Sequence, residues 1–309
     1  MTAKTISIII PTLNAGKTID KLLTMLNTQS VLPQKIIIID SSSDDNTISI
    51  CQKYKNVEIH TISRTNFDHG ATRNLAAKKT NSDYILFMTQ DAYPADNNYI
   101  AHILAPFTDN HVAMVSGCQK PRNDARLCEK LTRQFNYPAQ SYTRDKSDIK
   151  TLGIKTFFAS DVCAAYNHAI FNKLHGFEEP MLINEDMMIA AKFIFNDYKV
   201  AYAANAKVVH SHNYSFWQQF SRNFDIGVSL KQYQHYFKDI SVAGEGIKMV
   251  KYVLSQLFYT HQYFNIIHYL IECVFKFTGN KLGKNYKKLP NYFINLFSMN
   301  KNYWQNQNK

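Results

Sequence analysis

Glycine never clusters in this chain. Only ten are spread over its 309 residues, and Gly16, which follows the first strand-like segment, stands alone. No Gly-x-Gly-x-x-Gly turn is present, and no Lys-Ser or Lys-Thr pair follows a glycine cluster, so the two common phosphate loops are excluded. Cysteine is sparse too: Cys51, Cys118, Cys128, Cys163 and Cys273 are odd in number and have no paired or ligand-like spacing. That excludes a disulfide framework and a zinc-finger-type site, and fits a reducing compartment. The first ten residues hold no apolar stretch of signal-peptide design, so the chain is expected to stay in the cytosol. Arginine is missing after Arg222. This argues against nucleic acid as partner of the basic C-terminal region, because arginine leads in phosphate and base recognition. A membrane span is also missing. Residues 252–271 contain no Asp, Glu, Lys or Arg, but Ser255, Gln256, Thr260, His261, Gln262, Asn265 and His268 interrupt them, a polar load that spanning helices rarely carry.

What the chain does have is unevenly placed charge. The net charge is +11, and residues 231–309 contribute most of it, with eleven lysines against three acids. A length of 309 residues can bury a full α/β core and leave an appendage. We therefore expect a catalytic domain over residues 1–230 and a basic, aromatic-rich helical extension over residues 231–309.

The first 120 residues alternate strand and helix. Residues 6–10 and 35–39 are continuous β-branched runs of the kind covered on both faces, and between them Ile19, Leu22, Leu23 and Leu26 share one helical face. A helix near 46–54, a strand at 57–62, a helix near 71–79 and the apolar run 84–88 continue the pattern. Further strands are expected at 112–117 and 162–166, with helices near 168–174 and 185–196. The implied fold is α/β, a mostly parallel, doubly wound, Rossmann-like sheet with right-handed crossovers, followed by helices. The loops after its strands gather on one edge, where such sheets bind ligands. They contain Pro11-Thr12-Leu13-Asn14, Asp40 with its Ser/Asp-rich loop, Arg64 to Arg73, and Thr89-Gln90-Asp91-Ala92.

The order Pro11-Thr12-Leu13-Asn14, Asp40, Asp91, Gly176-Phe177, Glu185-Asp186 and His210 resembles the family-2 glycosyltransferases of GT-A fold, over roughly residues 5–225. Phe67-Asp68-His69-Gly70-Ala71-Thr72-Arg73-Asn74, Asn184-Glu185-Asp186-Met187 and His210-Ser211-His212-Asn213-Tyr214-Ser215 look like the bacterial rhamnosyltransferases that use dTDP-L-rhamnose to build cell-surface polysaccharide. Leu282-Gly283-Lys284-Asn285-Tyr286 and the segment from Ser298 to Trp304 are similar to the end of the same subgroup.

The resemblance implies a role for each segment. Pro11, Thr12, Asn14, Asp40, Asp68, His69, Arg73 and Gln90 would belong to the donor-nucleotide site. Asp40 would accept the imide N–H of a pyrimidine, and Arg73 would fork onto the diphosphate. Asp91 matches the last acid of the Asp-X-Asp motif that holds Mg²⁺ or Mn²⁺, with Thr89 standing where the first acid would be; His210 and His212 would add ligands. Asp186 would be the general base, with Glu185 orienting it or binding acceptor hydroxyls. The implied reaction is inverting transfer of L-rhamnose to a polyprenyl-diphosphate-linked glycan. It would take place at the inner face of the cytoplasmic membrane, with the lysine-flanked tail lying in the membrane interface. Two alternatives stay open: a hexosyl- or N-acetylhexosaminyltransferase using a UDP-sugar, and a non-catalytic sugar-nucleotide-binding or assembly protein.

Overall fold

The computed structural model describes residues 4–238, 240 and 244–307. Strands β1 (Ile6–Thr12), β2 (Lys35–Asp40), β3 (Val57–Thr61) and β4 (Tyr84–Met88) are parallel, in the spatial order β3-β2-β1-β4. Helices α1 (Ile19–Asn27), α2 (Thr47–Cys51) and α3 (His69–Ala77) connect them. The β-branched runs are covered on both faces. Ile8 and Ile10 pack with Leu22, Leu23 and Leu26 on one side, while Ile9, Ile37 and Ile39 join Phe87, Ala76 and Phe193 on the other.

The second half adds β5 (Tyr93–Pro94), β6 (Val112–Lys120), β7 (Tyr142–Arg144), β8 (Cys163–Asn167) and β9 (Lys199–Val209), so the sheet is mixed, with its parallel half first. Its helices are α4 (Tyr99–Leu104), α5 (Leu127–Asn136), α6 (Ile149–Leu152), α7 (His168–Lys173) and α8 (Glu185–Phe195). β8 lies antiparallel between β4 and β6, with Cys163 opposite Met88. β9 is parallel to β6 and pairs antiparallel with β5 and β7. The sequence pattern showed only the exit of β9 at residues 207–209. Its upstream part, Ala201 to Ala206, is rich in alanine and broken by Asn205, which hides the β signal of a strand held by three neighbours.

Helices α9 (Phe216–Gln232), α10 (Glu245–Tyr259), α11 (Tyr263–Lys284), α12 (Asn291–Phe297) and α13 (Lys301–Gln307) complete the chain. The boundary expected near residue 230 falls inside α9. α11 lies so close to α9 that a Cβ on Gly279 would stand 2.3 Å from the carbonyl oxygen of Phe220, and one on Gly283 2.0 Å from that of Phe224. The glycine pair, one helical turn apart, lets two backbones touch. Among the described residues no helix is long and apolar enough to cross a membrane.

Candidate active site

Strand direction decides which residues meet. Asp91 follows β4, and His210 follows β9; the β5–β9 pairing, with Tyr93 opposite Val209, brings the two together. His210 Nε2 is 3.5 Å from Asp91 Oδ1, and His212 Nε2 is 3.6 Å from Asp91 Oδ2. One ligand atom from each of the three residues lies within 4.8 Å of the others. Donor atoms bound at about 2.1 Å to a six-coordinate ion stand roughly 3 to 4.2 Å apart, so the trio needs little movement to hold one.

The wall behind His210 fixes its tautomer. Gln119 donates from Nε2 to Ser160 Oγ at 2.8 Å, and its Oε1 accepts from Arg133 Nη1. The same oxygen is 3.1 Å from His210 Nδ1, which must therefore donate, leaving the Nε2 lone pair turned to Asp91. Burial pushes His210 down to about 3, against the pull of Asp91, and lowers His212 as well. Both imidazoles are thus neutral and ready as ligands, so the residues fit a divalent cation.

A second cluster faces the same cavity of about 560 Å³, which Arg73, Asp91, Asp161, Asp186, His210 and Arg222 line. Asp161 arrives here because β8 runs antiparallel: the residues before β8 sit at the edge that the parallel strands reach with their ends. Arg73, in the second turn of α3, is buried, with Nη2 3.2 Å from Glu185 Oε1 and Nε 3.5 Å from Asp161 Oδ2. Its Nη1 donates to the carbonyl of His69 at 2.9 Å, and His69 Nδ1 is 3.5 Å from Glu185.

The three carboxyls do not titrate alike. Burial works to raise Glu185, but Arg73 and His69 outweigh it and hold Glu185 well below the usual carboxylate range. Burial raises Asp161 far above that range against the pull of Arg73, and the negative charges of Glu185 and Asp186 add to the rise; its carboxyl accepts from the Tyr166 hydroxyl. Asp186 is pushed up to about 6, by burial first and by the negative charge of Glu185 second. Asp186 accepts from its neighbour Met187 N at 2.7 Å and from Asp161 N at 3.3 Å. An acid poised near 6 beside an open cavity has the properties of a general base.

Pro11, Thr12, Asn14, Asp40 and Gln90 form a separate group at the tips of β1, β2 and β4, outside the lining of that cavity. Asp40 is fully buried and accepts from Thr12 Oγ1 at 2.9 Å, Ser43 N at 2.7 Å and Ser43 Oγ at 2.6 Å. Asn14, at φ 51°, accepts from Asp44 N at 2.9 Å. Gln90 clips onto Leu13, accepting from its N–H at 2.8 Å and donating to its carbonyl at 3.1 Å. These contacts, with Pro11 between them, make one braced loop cluster. Asp68 caps α3, accepting from Gly70 N and Ala71 N through Oδ1, and its Oδ2 accepts from Met181 N at 2.6 Å. Its carboxylate is spent on that ring of N–H donors, and Arg73, expected on a diphosphate, faces acids instead.

Sequence reasoning missed Asp161, Gln119, Arg133 and Arg222. Arg222, on α9, is exposed in the cavity and has no acid partner among the described residues. α11 and the segment before α13 also reach the cavity wall, through Lys276 and through Met299 and Asn300.

The parallel half-sheet leads to an edge where Asp91, His210 and His212 lie close enough together to take a cation and where Asp186 is raised to about 6; the architecture is that of the GT-A glycosyltransferases. The sequence matches the profile described as Glycosyl transferase family 2 over residues 7–175, and the chain belongs to that family. It is 42% identical over 303 residues to the O-antigen chain rhamnosyltransferase RfbN of Salmonella typhimurium, covering 97% of this chain and 96% of that one. The O-antigen chain rhamnosyltransferase WbaN of Salmonella anatum is similar to the same extent, 42% identity with the same coverage of both chains. Solved structures share the fold. The mannosyltransferase PcManGT from Pyrobaculum calidifontis, in complex with GDP-Man and Mn²⁺, superposes with a TM-score of 0.64 at 13% identity, covering 93% of this chain and 89% of that one. TarS of S. aureus gives 0.58 at 18% identity, covering 82% and 43%.

Proposed function

We propose that the protein transfers L-rhamnose from dTDP-L-rhamnose, with inversion, to a lipid-linked glycan acceptor in cell-surface polysaccharide synthesis. The observation that carries this reading is the likeness, over nearly the whole chain, to O-antigen chain rhamnosyltransferases. Asp186 removes the proton from the acceptor hydroxyl as that oxygen attacks the anomeric carbon. The bond from that carbon to the diphosphate breaks on the opposite face, and the nucleoside diphosphate leaves with the electron pair. Glu185 stays ionised against Arg73 and keeps the pKa of Asp186 high enough for the task.

The braced cluster of Pro11, Thr12, Asn14, Asp40 and Gln90 receives the pyrimidine nucleoside. Asp91, His210 and His212 hold the cation, and two imidazoles beside one carboxylate favour Mn²⁺ over Mg²⁺. When bound, the ion offsets charge on the departing diphosphate. Arg222 adds the one acid-free cation that we find in the cavity wall among the described residues. The acceptor is a polyprenyl-diphosphate glycan, and the enzyme works peripherally at the inner face of the cell membrane.

The experiment is turnover by the full chain with Mn²⁺, a polyprenyl-diphosphate-linked sugar, and either dTDP-L-rhamnose or UDP-sugars. Release of dTDP with rhamnose on the acceptor is expected. Turnover with a UDP-sugar alone would replace the donor, and nucleotide binding without turnover on any acceptor would replace the catalytic reading.

A further inference from the structure

The exposed apolar side chains of this protein concentrate on its C-terminal helices, and α11 shows why. One face buries Tyr269, Glu272, Gly279 and Gly283 against the rest of the molecule, and Lys276 on that side reaches the active cavity. On the other face Phe264, Ile267, Ile271 and Val274 follow at three- and four-residue intervals, all exposed, Phe264 at 88%. The last turn of α10, just before the α10–α11 connection, adds Phe258 and Tyr259, also exposed. A contiguous apolar stripe of this length marks an interaction surface.

The charge around it selects the partner. Lys251, Lys281, Lys284, Lys287 and Lys288 are exposed and have no acid partner among the described residues. The acids of residues 244–307 are Glu245, held by Lys155 at 2.8 Å and Lys248 at 2.6 Å, and Glu272, held by Lys276 at 2.5 Å. A second copy seated on this face would set lysine against lysine, because the patch offers no free carboxylate among the described residues. Nor is any helix among the described residues long and apolar enough to span a bilayer.

We propose that the outer face of α11 and the end of α10 dock on an anionic lipid bilayer, with the aromatic and aliphatic side chains in the headgroup–acyl boundary and the lysines on lipid phosphates. The other face of the same helix carries Lys276 into the active cavity, so docking sets the cavity beside the lipid surface. The inference rests on the proposed function only for its purpose, which is access to a membrane-held acceptor. Binding itself needs no sugar nucleotide.

The test is sedimentation of the full chain with vesicles of phosphatidylcholine alone or mixed with phosphatidylglycerol. Wild type is expected to pellet with the anionic vesicles, less so at high salt. The double variant Phe264→Asp, Val274→Asp is expected to partition about tenfold more weakly or worse, with nucleotide binding unchanged. Lys281→Glu with Lys287→Glu, which leaves the apolar stripe intact, is expected to weaken pelleting on the anionic vesicles alone. Wild type remaining in the supernatant with both vesicles would overturn the proposal. So would a lipid-free dimer in sedimentation velocity that the Phe264 and Val274 changes dissolve. Vesicle binding by a chain that turns over a UDP-sugar alone in the donor assay would overturn the donor reading and leave the docking surface standing.

Discussion

Nη2 of Arg73 stands 3.2 Å from Oε1 of Glu185, and this contact divides the labour between two consecutive acids. Glu185 takes the guanidinium and stays ionised. Asp186, buried, without a cation of its own and beside that fixed negative charge, rises to about 6. One buried arginine thus sets two consecutive carboxylates apart, Glu185 held ionised and Asp186 raised into the range that the proposed base needs.

For a base, the deprotonated form is the active one. The kcat/KM of the enzyme is therefore expected to climb as pH rises through about 6 and to level off above it. Glu185→Gln removes the charge that helps raise Asp186, so the acidic limb of the profile should move to lower pH. Asp186→Asn should cost about 10²–10⁴ in kcat with donor binding retained, as read by turnover and calorimetry. Unchanged turnover in Asp186→Asn would remove Asp186 from the base position.

Arg73→Met leaves Glu185, Asp161 and Asp186 buried with no guanidinium among them. The expected loss of folding stability is about 3–5 kcal/mol at neutral pH, measured by urea unfolding. The sign with pH is set by Glu185. Its folded-state pKa is depressed, so the stability it lends exists above its unfolded value and fades as pH falls. The difference between wild type and variant should accordingly shrink as the buffer is acidified.

Gln119 never touches Asp91, yet it decides which nitrogen of His210 is free. Gln119→Ala removes the acceptor at 3.1 Å from Nδ1 and lets the ring turn. Mn²⁺ affinity, read from the free-ion electron paramagnetic resonance signal, should drop about 10–100-fold. An unchanged titration would mean that the ring is held by something other than this amide.

The contrast between Gln119 or Asp161 and Asp91 explains what was legible in the sequence. Asp91 stands three residues beyond a buried five-residue run, so both the strand and the place of the acid at the sheet edge could be read from residues 84–91 alone. The parallel strands and helices α1 and α3 were visible for the same reason, through local periodicity. Asp161 precedes its strand, and a search for acids after strands passes over it; only knowing that β8 is antiparallel returns it to the functional edge. An acid directly before the apolar run 162–166 was the available signal. Gln119 and Arg222 had none, since each acts through a partner far away in sequence. Asp40 and Asp68 were visible as loop acids, but their dense rings of internal donors are tertiary facts.

The join between α11 and α9 gives a test in which one substitution type has two signs. At Gly283 a new Cβ would meet the Phe224 carbonyl oxygen at 2.0 Å and Val228 N at 3.0 Å, both backbone atoms that cannot swing aside. Gly283→Ala must push the helices apart and is expected to cost about 1–3 kcal/mol, seen as a lower Tm. Because α11 also carries Lys276 to the cavity, a loss of activity larger than the thermal shift explains should accompany it. At Gly246, inside α10, nothing lies within 4 Å of the added carbon. Gly246→Ala gains helix propensity without a clash, so it is expected to leave activity alone and to stabilise by up to about 1 kcal/mol. Equal melting shifts at the two glycines would mean that α9 and α11 do not approach as closely as their backbones do here.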